Sequence, residues 1–148
     1  MIKAFIEMAM YSRYKYELDK ETNTLLLDRP LNQIIPANYG FIPNSLAEDN
    51  DPLDLFVITK YPLVPGTICK VNIMGIMVCK DNGVQDNKLI ATLTDENMIA
   101  HWSKELEAIT TYLKTYKKGF EYVIYSNEND AHQEIINCQN RYCQNPNM

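Results

Sequence analysis

The chain has 148 residues, 46% of them hydrophobic and 22% charged, a balance that excludes a disordered segment and suits a globular protein with a sizeable core. Its 19 acidic against 14 basic residues leave a formal charge of −5, which excludes bulk attraction to nucleic acid but not a local site for a small anion. No apolar stretch approaches a bilayer span, and Met1 to Glu7 lacks the hydrophobic region of a signal peptide, so we expect one cytoplasmic domain over 1–148 with a frayed tail from about Gln144.

In chain order, residues 2–8, 14–18, 24–28, 55–59, 67–78 and 89–93 read as strands. Turn signals separate them: Asp19 to Asn23, Tyr61-Pro62 through Pro65-Gly66, and Asp81-Asn82-Gly83. The stretch 67–78 is long for a strand, and Gly75 inside it predicts a bulge or bend. The period then changes. Ile99, Trp102, Leu106, Ile109, Leu113 and Tyr116 recur three or four apart and mark one apolar helix face, with Thr94 or Asp95 as N-cap and Gly119 as stop. Residues 120–125 form a further strand, and Asn129-Asp130 lead into a last helix through Ile135-Ile136. Many strands followed by two helices predict a mainly β (α+β) fold: a closed or strongly curved antiparallel sheet with helices packed outside. Cys69, Cys79, Cys138 and Cys143 are scattered without a Cys-x-x-Cys or a His pair, and read as thiols of a reducing compartment, not zinc ligands.

The densest chemistry lies in Asp49-Asn50-Asp51-Pro52-Leu53-Asp54-Leu55, ahead of the apolar run Leu55 to Ile58. Two carboxylates ~4 Å apart repel by roughly 4 kcal/mol at an effective dielectric of about 20, so such crowding calls for protons or cations. Oxygen-only donors favour hard ions such as Mg²⁺, which also bind phosphates. Taken alone, Asp-x-Asp is more often a solvated turn. Its companions carry the argument. Lys15 and Glu17 project from one strand face, Arg29 ends the next strand, Asp81 and Asp86 flank an Asn-Gly turn, Lys88 shares a face with Asp86, and Lys114 lies beside the helical stripe. Convergence of these acids and bases would place divalent metals on carboxylates and a polyphosphate between metals and cations.

At this point the chain resembles the soluble family I inorganic pyrophosphatases. The family signature Asp-x-Asp-Pro-hydrophobic-Asp-hydrophobic is met in full by Asp49 to Leu55. Glu7, Lys15-Tyr16-Glu17, Asp28-Arg29, Pro36-Ala37-Asn38-Tyr39-Gly40-Phe41-Ile42-Pro43, Tyr61 to Gly66 and Asp81…Asp86-Asn87-Lys88-Leu89 match further family blocks in order and spacing. The resemblance implies an OB-like five-stranded β-barrel with two flanking C-terminal helices and an extra hairpin. It also implies hydrolysis of pyrophosphate dependent on about two to four Mg²⁺ ions, with Mn²⁺ as a substitute. Carried over residue by residue, Asp49, Asp54, Asp81, Asp86 and Glu17 would hold metal. Asp51 would be the general base, Glu7 would order water around the metals, and Lys15, Arg29, Tyr39, Lys88 and Lys114 would bind phosphate. The family also implies a homo-oligomer, a hexamer in bacterial relatives, with no nucleic-acid or membrane partner.

Two departures stand out. Ile35 occupies a position often aromatic in the family, and Leu113-Lys114 stands where a phosphate-directed Tyr-Lys is expected. Leu113 reads as core, leaving Tyr112 and Tyr116 as substitutes; one lost hydroxyl would cost about 1.5–3 kcal/mol, or one to two decades of rate. The alternatives to an active pyrophosphatase are a non-catalytic phosphate- or metal-binding homologue and an enzyme shifted toward longer polyphosphates or nucleotides. A calcium loop counted from Asp49 would need an acid at its twelfth position, where Lys60 stands.

Overall fold

The computed structural model describes residues 1–94 and 102–145, the Trp102 side chain excepted. In chain order the elements are β1 (Ile2–Met8), β2 (Tyr14–Asp19), β3 (Thr24–Pro30), β4 (Asn38–Phe41), β5 (Asp54–Ile58), β6 (Ile68–Asp81), β7 (Val84–Gln85), β8 (Lys88–Leu93), α1 (Trp102–Tyr116), β9 (Phe120–Ser126) and α2 (Glu128–Gln144). The expected N-cap Asp95, and Ile99 and the Trp102 side chain of the apolar stripe, fall outside the described residues. Thr94 is an exposed turn residue whose N–H donates to the Lys70 carbonyl at 3.3 Å.

Five strands close on themselves in the order β1-β4-β5-β8-β6, with β6 returning to β1. This is the OB-like barrel, and β2 and β3 form the extra hairpin as a separate two-stranded sheet. Two expectations are corrected. The sheet is not wholly antiparallel: β5 and β8 run parallel, Asp54 opposite Lys88 and Ile58 opposite Thr92. A parallel pair needs a long crossover, which β6 and β7 supply. Residues 38–41, not predicted as a strand, form β4 between β1 and β5. Only four residues long and bracketed by Pro36 and Pro43, β4 shows too few positions for an alternation to be seen.

The apolar run of β5 and the buried residues of β8 serve two cores on opposite faces of the sheet. Leu55, Val57, Leu89 and Ala91 pack with Ala4, Ile6 and the α2 residues Ala131, Ile135 and Cys138. Phe56, Ile58 and Ile90 pack with Met8, Ile35 and the α1 residues Ile109, Tyr112 and Leu113. A strand covered on both faces reads as a continuous apolar run, as β5 does. Two glycines set the strand geometry. A Cβ on Gly40 would overlap the Phe5 carbonyl oxygen, so only glycine lets β4 close on β1. At Gly75 the β6 register against β8 shifts, and a Cβ would strike the Tyr125 ring of β9, which accounts for the predicted bend.

α2 begins earlier than expected, capped by the Asn127 side chain accepting from the Asp130 N–H at 3.0 Å. It also runs further. Gln144 is helical and the Asn145 N–H caps the carbonyls of Arg141 and Tyr142; residues 146–148 lie outside the described set.

Candidate active site

The acidic loop is built by its own backbone. Asp49 Oδ1 accepts from the Asp51 N–H at 3.1 Å, and the Asp51 carbonyl accepts from the Ala47 N–H at 2.7 Å. Asn50 takes the left-handed conformation at φ 68°, which Asn tolerates better than most residues. Below the turn, Ser45 Oγ accepts from the Leu53 N–H at 2.9 Å and donates to the Ile42 carbonyl at 2.5 Å. Asp49 and Asp51 thus stand on the loop, and Asp54 opens β5.

These acids face a cleft of about 370 Å³ on the α1 side of the sheet. Its lining includes the acids Glu7, Glu17, Asp49, Asp51, Asp54, Asp81 and Asp86, the cations Lys15, Lys20 and Lys117, and Tyr39. Across it runs an alternating chain of charges. Lys88 Nζ lies 2.5 Å from Asp54 and 2.9 Å from Asp86; Lys117 Nζ lies 2.8 Å from Asp86 and 3.6 Å from Asp81. At the hairpin side Lys15 is 3.5 Å from Glu17 and 3.7 Å from Asp28, and Arg29 pairs with Asp28 at 3.2 Å. Arg29 also donates to the Tyr116 hydroxyl at 3.0 Å.

The charges are unequal in their surroundings. Burial raises the Glu7 carboxyl to about 7, with the Asp54 charge adding to it. Burial likewise lifts Asp49 to about 6, against the lowering effect of the Asp51 N–H, while Asp86 and Asp54 push it higher. Asp51 is raised by burial and by Asp54 and Asp86. Asp86 goes the other way: burial alone would raise it, but Lys88 and Lys117 together hold it at about 2. The Tyr39 phenol is held protonated by burial beside Asp54, to which it is hydrogen-bonded.

Residues 4–143 match the family model described as inorganic pyrophosphatase. The chain belongs to the inorganic pyrophosphatase family. The inorganic pyrophosphatase of Halalkalibacterium halodurans is 38% identical over 155 aligned positions, covering 96% of this chain and 95% of its own. The soluble inorganic pyrophosphatase of Zea mays is 38% identical over 118 positions, which cover 78% of this chain and 55% of that protein. This chain therefore spans little more than half the length of the plant relatives it matches. The crystal structure of the inorganic pyrophosphatase from Thermus thermophilus superimposes with a TM-score of 0.87 at 31% identity, over 95% of this chain and 90% of the other.

Within that family frame three expected phosphate ligands are placed differently. Lys114 is exposed and outside the cleft, whereas Lys117, just past the end of α1, reaches into it. The pair Tyr116-Lys117 therefore stands where Leu113-Lys114 was expected; Leu113 is buried in the α1 core. The slip is three residues, close to one helical turn, and it carries the lysine just past the end of α1. Gly119 does not end the helix by a left-handed turn. Its carbonyl accepts from the Asn82 N–H at 3.0 Å, and a Cβ there would collide with the Asn82 side chain. That close approach carries Asp81 to Lys117. Lys88 is 1% exposed and braces Asp54 and Asp86 from behind instead of facing the cleft. Arg29 is exposed and does not line the cleft; it donates to Tyr116, which stacks on Tyr112 with ring centroids 5.6 Å apart.

The donor set suits a hard divalent cation. Glu7, Asp49 and Asp51 all have raised proton affinity in a cleft whose acids repel one another, and every donor is oxygen. Among the described residues no three acids already converge on one point, and Lys88 and Lys117 pair with Asp54, Asp81 and Asp86.

Proposed function

We propose that the protein is a Mg²⁺-dependent enzyme hydrolysing pyrophosphate to two phosphates. The observation that carries this reading is the single cleft in which Asp51 lies among Asp49, Asp54, Asp81 and Asp86, with Lys15, Tyr39 and Lys117 facing them. In it, Asp49, Asp54, Asp81, Asp86 and Glu17 would hold the metal ions. Bound Mg²⁺ would supply charge neutralisation for the phosphates and a more acidic water.

The residues of this chain do the rest. Lys15, Tyr39, Tyr116, Lys117 and Arg29 bind and orient the two phosphoryl groups. Lys and Arg offer charge-assisted bonds, and Tyr39 is a neutral donor that burial keeps protonated. Glu7 orders water at the floor of the cleft. Asp51, partly exposed and raised in proton affinity, accepts the proton of the attacking water as its oxygen bonds to one phosphorus. The bridging P–O bond breaks and its electron pair leaves on the second phosphate. No covalent intermediate forms, so positioning and electrostatic stabilisation supply the acceleration. Lys88 keeps Asp86 ionised and holds Asp54 and Asp86 in place.

We also assign the protein to the cytoplasm as a homo-oligomer. Exposed apolar side chains such as Leu26, Leu27, Val123 and Ile124 support association with further copies. No helix among the described residues is long and apolar enough to cross a membrane.

Phosphate release from pyrophosphate, measured with Mg²⁺, with EDTA and with Asp51→Asn, tests the reading. Turnover should require Mg²⁺ and fall at least 100-fold in Asp51→Asn. A folded wild type without Mg²⁺-dependent turnover on pyrophosphate overturns it, and preference for triphosphate or ATP would reassign the substrate.

A further inference from the structure

α2 packs on the face of the sheet away from the cleft, yet it touches both segments that carry the cleft's carboxylates. Asp86 and Asn87 join β7 to β8; Asp86 lines the cleft, whereas Asn87 bonds to α2. The Asn87 side chain is only 9% exposed and its partners are fully specified. Its Oδ1 accepts from the Cys79 N–H at 3.1 Å and from Gln85 Nε2 at 2.6 Å, and its Nδ2 donates to Glu134 Oε2 of α2 at 2.7 Å. Close to two turns further along α2, Arg141 Nη1 donates to the Leu46 carbonyl at 2.7 Å, and the Leu46 N–H donates to the Cys138 carbonyl at 3.0 Å. Leu46 leads directly into the turn bearing Asp49 and Asp51. One rigid helix thus holds the Asp81/Asp86 hairpin by one end and the Asp49–Asp54 loop by the other.

We propose that α2 sets the spacing between the two carboxylate groups of the cleft, with Glu134 and Arg141 as its positioning residues acting through Asn87 and Leu46. This rests on the reading of those carboxylates as metal ligands. A residue that orients a ligand from behind commonly governs metal affinity by 10- to 100-fold without touching the metal. Glu134 and Arg141 touch no group that faces substrate, so their effect belongs in metal affinity and not in binding of the phosphates.

The test is calorimetric binding of Mg²⁺ to the metal-stripped full chain, beside the Mg²⁺ concentration for half-maximal turnover. Glu134→Ala and Arg141→Ala are each expected to weaken Mg²⁺ at least tenfold, while KM for pyrophosphate at saturating Mg²⁺ stays within about twofold. Glu134→Gln and Arg141→Lys keep an acceptor and a donor, and are expected within about threefold of wild type. Ile135→Val, a core change on the same helix, should lower the melting temperature and leave Mg²⁺ affinity unchanged. If Glu134→Ala does not fold by circular dichroism, Arg141→Ala carries the same test from the other end. Folded alanine variants with wild-type Mg²⁺ affinity overturn the proposal. So does an Ile135→Val shift as large as theirs, which would make the effect one of general stability. The calorimetry needs no turnover, so a wild type that binds Mg²⁺ without hydrolysing pyrophosphate overturns the reading of function and leaves that of α2 standing.

Discussion

Lys114 in the last turn of α1 and Lys117 just past its end are three residues apart, and only Lys117 has work in the cleft. Lys117 bridges Asp81 and Asp86 and faces the space for phosphate, whereas Lys114 is solvated. Lys117→Ala should therefore lower kcat/KM for pyrophosphate 10- to 100-fold, the scale of one charged hydrogen bond of about 1.5–3 kcal/mol, and Lys114→Ala should leave it within about twofold. Steady-state kinetics on the pair would reverse the assignment if the order were the opposite. Titration adds a second residue-scale prediction. The folded-state value of Glu7, about 7 against an ordinary 4.5, is raised, so ionising it opposes folding: no cost below about pH 4.5, a growing one up to 7, and the full cost above. Asp86, at about 2 against an ordinary 3.8, has the opposite sign; its stabilisation is present above about 3.8 and lost as the pH falls through 2. In EDTA the urea midpoint should accordingly be lower at pH 7.5 than at pH 4.5 and fall again below pH 3. Mg²⁺ should remove most of the decline at pH 7.5.

At the scale of elements, periodicity located β1, β2, β3, β5 and β8 within two residues, because each alternates or runs apolar against a clear turn signal. β4 was not legible. Its place depends on Gly40 meeting the Phe5 carbonyl, a contact between residues distant in sequence. Gly40→Ala should push β4 off β1 and destabilise the fold by at least about 2 kcal/mol in urea unfolding, beyond the propensity cost of the change. The pairing of β5 with β8 was also hidden, since both run apolar and nothing local distinguishes a parallel from an antiparallel neighbour. That pairing matters chemically: its register sets Asp54 beside Lys88. The apolar stripe of α1 showed the helix but not which turn of it ends at the cleft. The slip of the Tyr-Lys pair by close to one turn carries its lysine just past the end of that helix.

For the molecule as a whole, the four thiols report how the two cores are closed. Burial pushes Cys79 and Cys138 up to about 12, while Cys143 is exposed on the last turn of α2 and Cys69 is partly covered. At pH 8 an alkylating reagent should modify Cys143 first and Cys69 more slowly, reaching Cys79 and Cys138 only on unfolding. Native-state labelling of Cys138 as fast as Cys143 would mean that α2 is not seated as described. The sequence alone determined the chemistry of this protein: the Asp49 to Leu55 heptad with Glu7, Lys15-Tyr16-Glu17 and Asp81…Lys88 around it specifies an acid- and cation-lined site, because those residue types are informative wherever the chain places them. Tertiary structure alone decided which cation faces the cleft and which stands behind it. Lys88 and Lys117 look equivalent as letters. The β5–β8 register buries the first between Asp54 and Asp86, and the approach of Gly119 to Asn82 brings the second to Asp81, since depth and distance are set by packing between segments far apart in the chain.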